Sequence, residues 1–196
     1  IETNPKDATA WQHLGELYLQ GGDPDRAEEC FNQVRLLGPL SEDSLLQLGE
    51  SYAKGKKFDQ ALELFQRALA KNPKNPMIHF DLGYTYALQG QQTLAVAAYR
   101  QAVALDPKFL AAYFNLGESL KTLKDFPGAV QAYQETLRLD PKHAESLFEL
   151  GEVYYQIQNP LAALQSYCHF IEVAGDRYKE EIKKAKETAR SLGDCH

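Results

Sequence analysis

The chain has 196 residues, 44% hydrophobic and 24% charged, an ordinary globular composition that excludes disordered and collagen-like classes. A net charge of -6 weighs against phosphate-backbone binding, which needs clustered Lys and Arg to displace condensed counterions. No stretch approaches the roughly 18 apolar residues that a spanning helix needs, and the start lacks the basic-then-apolar pattern of a signal peptide. The sequence opens at Ile1 rather than Met, so localisation is not read from it.

Along the chain the first signal is self-similarity. Gly15, Gly49, Gly83, Gly117 and Gly151 recur at a spacing of 34 residues. Leu14, Leu48, Leu82, Leu116 and Leu150 precede them; Tyr18, Tyr52, Tyr86, Leu120 and Tyr154 follow three residues later; Ala27, Ala61, Ala95, Ala129 and Ala163 follow twelve later. The aromatics Phe31, Phe65, Tyr99, Tyr133 and Tyr167 keep the same register. Pro5, Pro39, Pro73, Pro107 and Pro141 share the period, and Gly175 stands where the next proline falls, which ends the array.

This pattern predicts helices near 8–20 and 24–37 and at their translates along the repeat. At 100° per residue Trp11, Leu14, Gly15 and Tyr18 share one side, the packing face. Glycine there, opposite a helix whose recurring small residue is Ala27, is expected to let two backbones approach, justifying its helix-interior cost of about 1 kcal/mol. Asp23-Pro24 and Asn159-Pro160 put an N-cap acceptor before a proline at the first helical position, where second helices start. Pro39 and its equivalents end them, since proline disfavours helix in the residue before it. Residues 176–192 predict a last amphipathic helix with Ile182, Ala185, Ala189 and Leu192 on its apolar side and Lys179, Lys183, Lys184, Lys186 and Arg190 elsewhere. It is expected to cap the stack, because its apolar face is too thin for a membrane-surface helix.

Trp11-x2-Leu14-Gly15-x2-Tyr18, Ala27-x3-Phe31 and Pro39 together resemble the tetratricopeptide repeat. The resemblance implies an all-α, right-handed superhelical solenoid of helix-turn-helix repeats. Its expected boundaries are 8–41, 42–75, 76–109, 110–143 and 144–175, then the capping helix 176–192 and a tail 193–196. Residues 1–7 read as the tail of a preceding repeat, because Pro5 keeps the period.

No catalytic constellation is present: there is no phosphate-cradling glycine loop, nucleophile elbow, H-E-x-x-H pair or dinucleotide fingerprint. The chain is therefore read as a non-enzyme without a cofactor. His13, His79, His143, His169 and His196 form no ligand pair, so no metal is expected. Cys30, Cys168 and Cys195 match no metal-ligand spacing and read as free thiols. Cys30 and Cys168 sit four repeats apart, beyond the ~7 Å limit for bridging. The missing disulfide framework points to a reducing compartment, with a periplasmic location left open.

Binding is better supported. In arrays of this family the side of each first helix opposite the packing face lines a concave groove. The fifth position of successive repeats reads Gln12, Leu46, Phe80, Phe114, Phe148, and the ninth reads Glu16, Glu50, Tyr84, Glu118, Glu152. The expected partner-binding residues are Glu50, Phe80, Asp81, Tyr84, Phe114, Asn115, Glu118, Phe148, Glu149, Glu152 and Tyr155. Aromatics between carboxylates imply a basic or amphipathic protein segment as ligand. Relatives that grip a chaperone's C-terminal carboxylate place Lys and Asn at the fifth and ninth positions. Neither occurs there, and only Asn115, at the sixth position, matches their clamp, so that function is not implied. The asparagine ladder of the nucleocytoplasmic glycosyltransferase is absent too, since the sixth position reads His13, Gln47, Asp81, Asn115, Glu149. The alternative is a regulatory module of a larger protein, or one that self-associates through its basic C-terminal helix.

Overall fold

The computed structural model describes residues 6–38 and 40–195. The tail reading of residues 1–7 falls largely outside the described residues, as do the helix-stop role of Pro39 and the terminal His196. The elements are α1 (Ala8–Gln20), α2 (Pro24–Leu37), α3 (Glu42–Lys54), α4 (Phe58–Lys71), α5 (Pro76–Leu88), α6 (Gln92–Leu105), α7 (Leu110–Thr122), α8 (Phe126–Leu139), α9 (Ala144–Gln156), α10 (Pro160–Val173) and α11 (Lys179–Leu192). A single 3-10 turn, Asp176–Tyr178, leads into α11. The periodicity of the sequence thus reappears as tandem helical pairs, an all-α helix-turn-helix architecture.

The chain divides into two compact units, Ile1–Gln89 and Gly90–His196. In the first, α1 packs on α2, α3 on α4 and α4 on α5. Its core is Ala27, Phe31 and Val34 of α2, Leu45 and Leu48 of α3, Ala61, Phe65 and Ala68 of α4, and Ile78 of α5. In the second, each helix from α6 to α11 packs on the next. Tyr99, Tyr133, Tyr167 and Phe170 are its largest fully buried side chains.

Glycine in the first helices makes room for a ring, and this corrects the expected backbone approach to Ala27 and its counterparts. A Cβ added at Gly15 would lie 2.7 Å from Phe31 Cζ, and one at Gly49 2.5 Å from Phe65 Cε1. In the second unit Gly117 meets Tyr133 Cε1 at 2.5 Å and Gly151 meets Tyr167 Cδ1 at 2.8 Å. The alanine is small because it is wholly enclosed, with Ala27, Ala61, Ala129 and Ala163 at most 1% exposed, but the ring sixteen residues after each glycine occupies the space where its side chain would be.

Local chemistry sets the turns. Asp23 and Asn159 accept from the backbone N–H groups of Arg26 and Ala162 at 3.1 and 3.3 Å, the expected caps of α2 and α10. The hairpin turn before each second helix carries a left-handed residue, with Gly22 at φ 78°, Lys56 at 59°, Lys124 at 62° and Gln158 at 57°. The three non-glycines carry strain of roughly 1–2 kcal/mol each. It is tolerated because the residue after each of these donates its backbone N–H back to the last turn of the first helix, as from Asp125 to Leu120 at 2.9 Å.

At the C-terminus Ala185 and Ala189 of α11 are buried, and Ile182 and Leu192 pack on the cluster of Leu147, Ala163, Tyr167 and Phe170. The free-thiol reading of Cys168 and Cys195 is corrected here: the two form a disulfide, with Cα atoms 5.6 Å apart. A count of four repeats applied to Cys30 and Cys168, not to this pair, because α11 folds back on α10 and brings residue 195 beside residue 168. Cys30 is buried and free. With two of the three cysteines paired, cysteine usage no longer points to a reducing compartment.

Alanine at Gly117 or Gly151 is expected to destabilise the fold by about 1–2 kcal/mol, overpacking against an immobile ring outweighing the helix-propensity gain of about 1 kcal/mol. Gly175→Ala, where the added carbon meets nothing within 4 Å, serves as the control. Urea midpoints of the three variants check it, and equal midpoints would contradict the ring-for-side-chain packing.

Candidate functional site

Burial of the second-helix ring determines what its hydroxyl reaches. In the second unit the Tyr133 hydroxyl donates to the Glu118 carboxylate and the Tyr167 hydroxyl donates to Glu152 Oε1 at 2.7 Å. Burial, with the adjacent carboxylate, pushes both phenols well above their ordinary range. Lys121 completes the arrangement, its Nζ lying 2.9 Å from Glu118 Oε1 and 2.5 Å from Glu149 Oε2. Burial pushes the Glu149 carboxyl up, and Lys121 only partly opposes this. For Lys121 burial acts downward, but hydrogen bonds to Glu149 and Glu118 hold the ammonium above its ordinary value. The Asn115 side-chain amide donates to the Ala111 carbonyl of its own helix at 2.8 Å.

The last helix engages two more of the expected residues. Lys184 Nζ of α11 pairs with Glu152 and lies 5.4 Å from the centroid of the Phe148 ring. Phe148 itself packs on Phe170 with centroids 5.2 Å apart. Arg177 lies 2.9 Å from Glu145 Oε1, and the Tyr178 hydroxyl donates to the same carboxylate. Burial acts against the charge on Glu145, yet these groups, with His143, hold its carboxyl below the usual range. Phe114 packs against Tyr133 and His143 at 6.1 and 5.2 Å, and Tyr155 is exposed. Glu118, Glu149 and Glu152, expected from the sequence as partner-binding residues, are therefore internally paired.

The first unit differs. Glu50, Phe80, Asp81 and Tyr84 come together around one concavity of about 310 Å³, with Ala53, Lys54, Phe65, Met77 and Thr85. Phe80 and Tyr84 stack with centroids 6.5 Å apart and an interplanar angle of 14°. Asp81 is only 7% exposed, and its Oδ2 is buried without a hydrogen-bond partner. Burial first, then the nearby Glu50 charge, pushes its carboxyl up to about 7, with Lys54 opposing. Glu50 is itself paired at the surface with Lys54, 3.7 Å away.

Sequence reasoning missed Lys121, Lys184 and Met77, and read Tyr133 and Tyr167 as packing only. A signal was available for the tyrosines: Phe65 follows Glu50 at the same interval as Tyr133 follows Glu118, and only the tyrosines carry a hydroxyl to reach the carboxylate. Among the described residues no group of three or more His, Cys, Asp or Glu is placed to hold a metal ion. Among the described residues no helix is long and apolar enough to cross a membrane.

Tetratricopeptide-repeat profiles match residues 8–34, 46–109 and 120–158, together most of the chain. The chain belongs to the tetratricopeptide-repeat family. No curated protein matches it significantly in sequence. Among solved structures this tetratricopeptide protein is similar to MamA, with a TM-score of 0.76 at 22% identity, covering 87% of this chain and 96% of that one. YrrB, described as a TPR protein with an unusual peptide-binding site, gives 0.76 at 22% identity over 95% of both chains. PilF of Pseudomonas aeruginosa gives 0.72 at 22% identity, covering 97% of this chain and 91% of that one. These likenesses speak for the fold, and the family supports a protein-interaction module.

Asp81 makes stability depend on pH with a definite sign. A carboxyl raised in the folded state stabilises fully below its unfolded value near 3.8, and that stability is lost as pH rises through about 7. Asp81→Asn removes this dependence. The variant is expected to gain stability relative to the parent between pH 5 and pH 8, read from urea midpoints at both; a difference that does not change with pH would contradict a buried, unpartnered carboxylate.

Proposed function

We propose that this tetratricopeptide chain is a non-catalytic interaction module that takes a basic or amphipathic segment of a partner protein against the exposed sides of its first helices. The observation that carries this reading is the concavity between α3 and α5. Met77 and Tyr84 stand 42% and 44% exposed there beside a buried carboxyl without a hydrogen-bond partner on Oδ2. Exposed apolar groups gathered in a hollow gain about 25 cal/mol for each Å² they bury against a ligand. The carboxylates Glu50 and Asp81 at the same place select for positive charge. In the second unit the exposed ring of Tyr155 and the partly exposed Phe114 offer further apolar contact area. The peptide-binding site named for the structural neighbour YrrB is in keeping with this use of the fold.

Self-association through α11 has less support. Its apolar side is packed on α10, two cysteines tie its end to that helix, and Lys184 is engaged on Glu152.

Selection of displayed random peptides on the immobilised chain tests the reading. Enrichment of sequences that interleave Lys or Arg with apolar anchors is expected, with binding weakened by added salt. Tyr84→Ala and Met77→Ala alter exposed side chains, so each is expected to weaken such peptides about tenfold without lowering stability, in line with ~1.5–3 kcal/mol for a fully buried large side chain. Enrichment of acidic peptides, or binders indifferent to both variants, would overturn it.

A further inference from the structure

We propose that the concavity over Asp81 is a socket for the side-chain ammonium of a lysine carried by the bound segment, an inference that rests on the interaction reading above and names what this part of the surface recognises. Three observations converge on it. Asp81 is more than nine-tenths buried, yet its Oδ2 has no hydrogen-bond partner, an arrangement that costs free energy unless a ligand supplies the missing donor. The walls around it are mostly apolar, from Ala53, Phe65, Met77, Phe80 and Tyr84, which suits an aliphatic stem ending in a charge. At the edge, Lys54 lies 3.7 Å from Glu50 with its side chain 78% exposed, and no hydrogen bond from it reaches Oδ2 of Asp81.

The same chain displays the chemistry elsewhere. In the second unit Lys184 places its Nζ against the Phe148 ring and on the Glu152 carboxylate. Phe148 holds in α9 the place that Phe80 holds in α5, counted along the sequence period. An ammonium over an aromatic ring with a carboxylate beside it is thus already in use to fasten α11. Lysine fits better than arginine because a guanidinium brings five donors in a rigid fork, whereas this hollow offers one buried oxygen and ring faces. The charged groups facing Asp81 are Glu50 and Lys54 of α3, while α4 contributes the uncharged Phe65. Binding of a cation requires the ionised carboxyl, so affinity rises from pH 6 to pH 8.

Titration of the whole isotope-labelled chain with Nα-acetyl-lysine methylamide, followed by amide chemical shifts, tests the socket. Saturable shifts are expected at Met77–Thr85 and Glu50–Lys54, at least tenfold weaker with the norleucine analogue and with Asp81→Asn, and up to about tenfold weaker at pH 6 than at pH 8. Should Asp81→Asn not fold, Tyr84→Ala and the norleucine analogue read the same claim. Equal binding of the norleucine analogue would overturn the socket by making it an apolar hollow. Identical shifts with sodium or magnesium chloride alone would overturn it in favour of an inorganic cation. Selected peptides whose binding ignores both Asp81→Asn and their own lysines would remove the socket and leave the interaction module standing. A lysine probe that binds at Asp81 when no peptide is selected would uphold the socket and remove the module.

Discussion

The fold turns on a substitution of space: where a first helix lacks a side chain, an aromatic ring from the second helix takes its place. Gly15, Gly49, Gly117 and Gly151 each meet such a ring closer than a Cβ would allow. The gain is burial of a whole Phe or Tyr, about 1.5–3 kcal/mol for a large apolar side chain, against roughly 1 kcal/mol lost by glycine in a helix. The ring also fixes the two helices at one separation, since it cannot slide past the backbone. Repetition of this contact in the same register makes one helical pair look like the next.

Its consequences reach the surface where the ring ends in a hydroxyl. Tyr133 and Tyr167 are fully buried yet donate hydrogen bonds from their hydroxyls to Glu118 and Glu152, fixing carboxylates that an acidic sequence would otherwise leave free. Lys121 and Lys184 then neutralise that face from within the chain. In the first unit the equivalent ring is Phe65, which has no hydroxyl, and Glu50 turns to Lys54 instead. Asp81 is left as the buried acid whose Oδ2 finds no partner. Net charge is therefore a poor guide to which carboxylates can attract a ligand, because pairing inside the chain removes several of them.

Much of this was legible in the sequence, because a period of 34 with glycine, alanine, aromatic and proline in fixed register leaves one architecture open. The helix spans follow from it, as do the caps Asp23 and Asn159. The Cys168–Cys195 pair was not legible, since it depends on α11 returning along α10, a tertiary fact with no local signature. Neither were the left-handed Lys56, Lys124 and Gln158, whose residue types argue against that conformation and which the turn imposes. Among the expected site residues, Glu50 of α3 and Phe80, Asp81 and Tyr84 of α5 line one hollow. What the sequence withheld was the pairing of Glu118, Glu149 and Glu152, which draws on contacts between residues 15 to 32 positions apart.

On the proposed reading, the chain leaves the Asp81 carboxyl unsatisfied for a partner while Glu118, Glu149 and Glu152 are closed on the chain itself. The most direct measurement is the titration of the Asp81 carboxyl, followed by carbon NMR in the full chain. The account expects a midpoint near 7 in the free protein, falling once a lysine-bearing ligand saturates the hollow. A midpoint in the ordinary carboxylate range, unmoved by such a ligand, would mean that Asp81 is already solvated or paired, and would contradict the account.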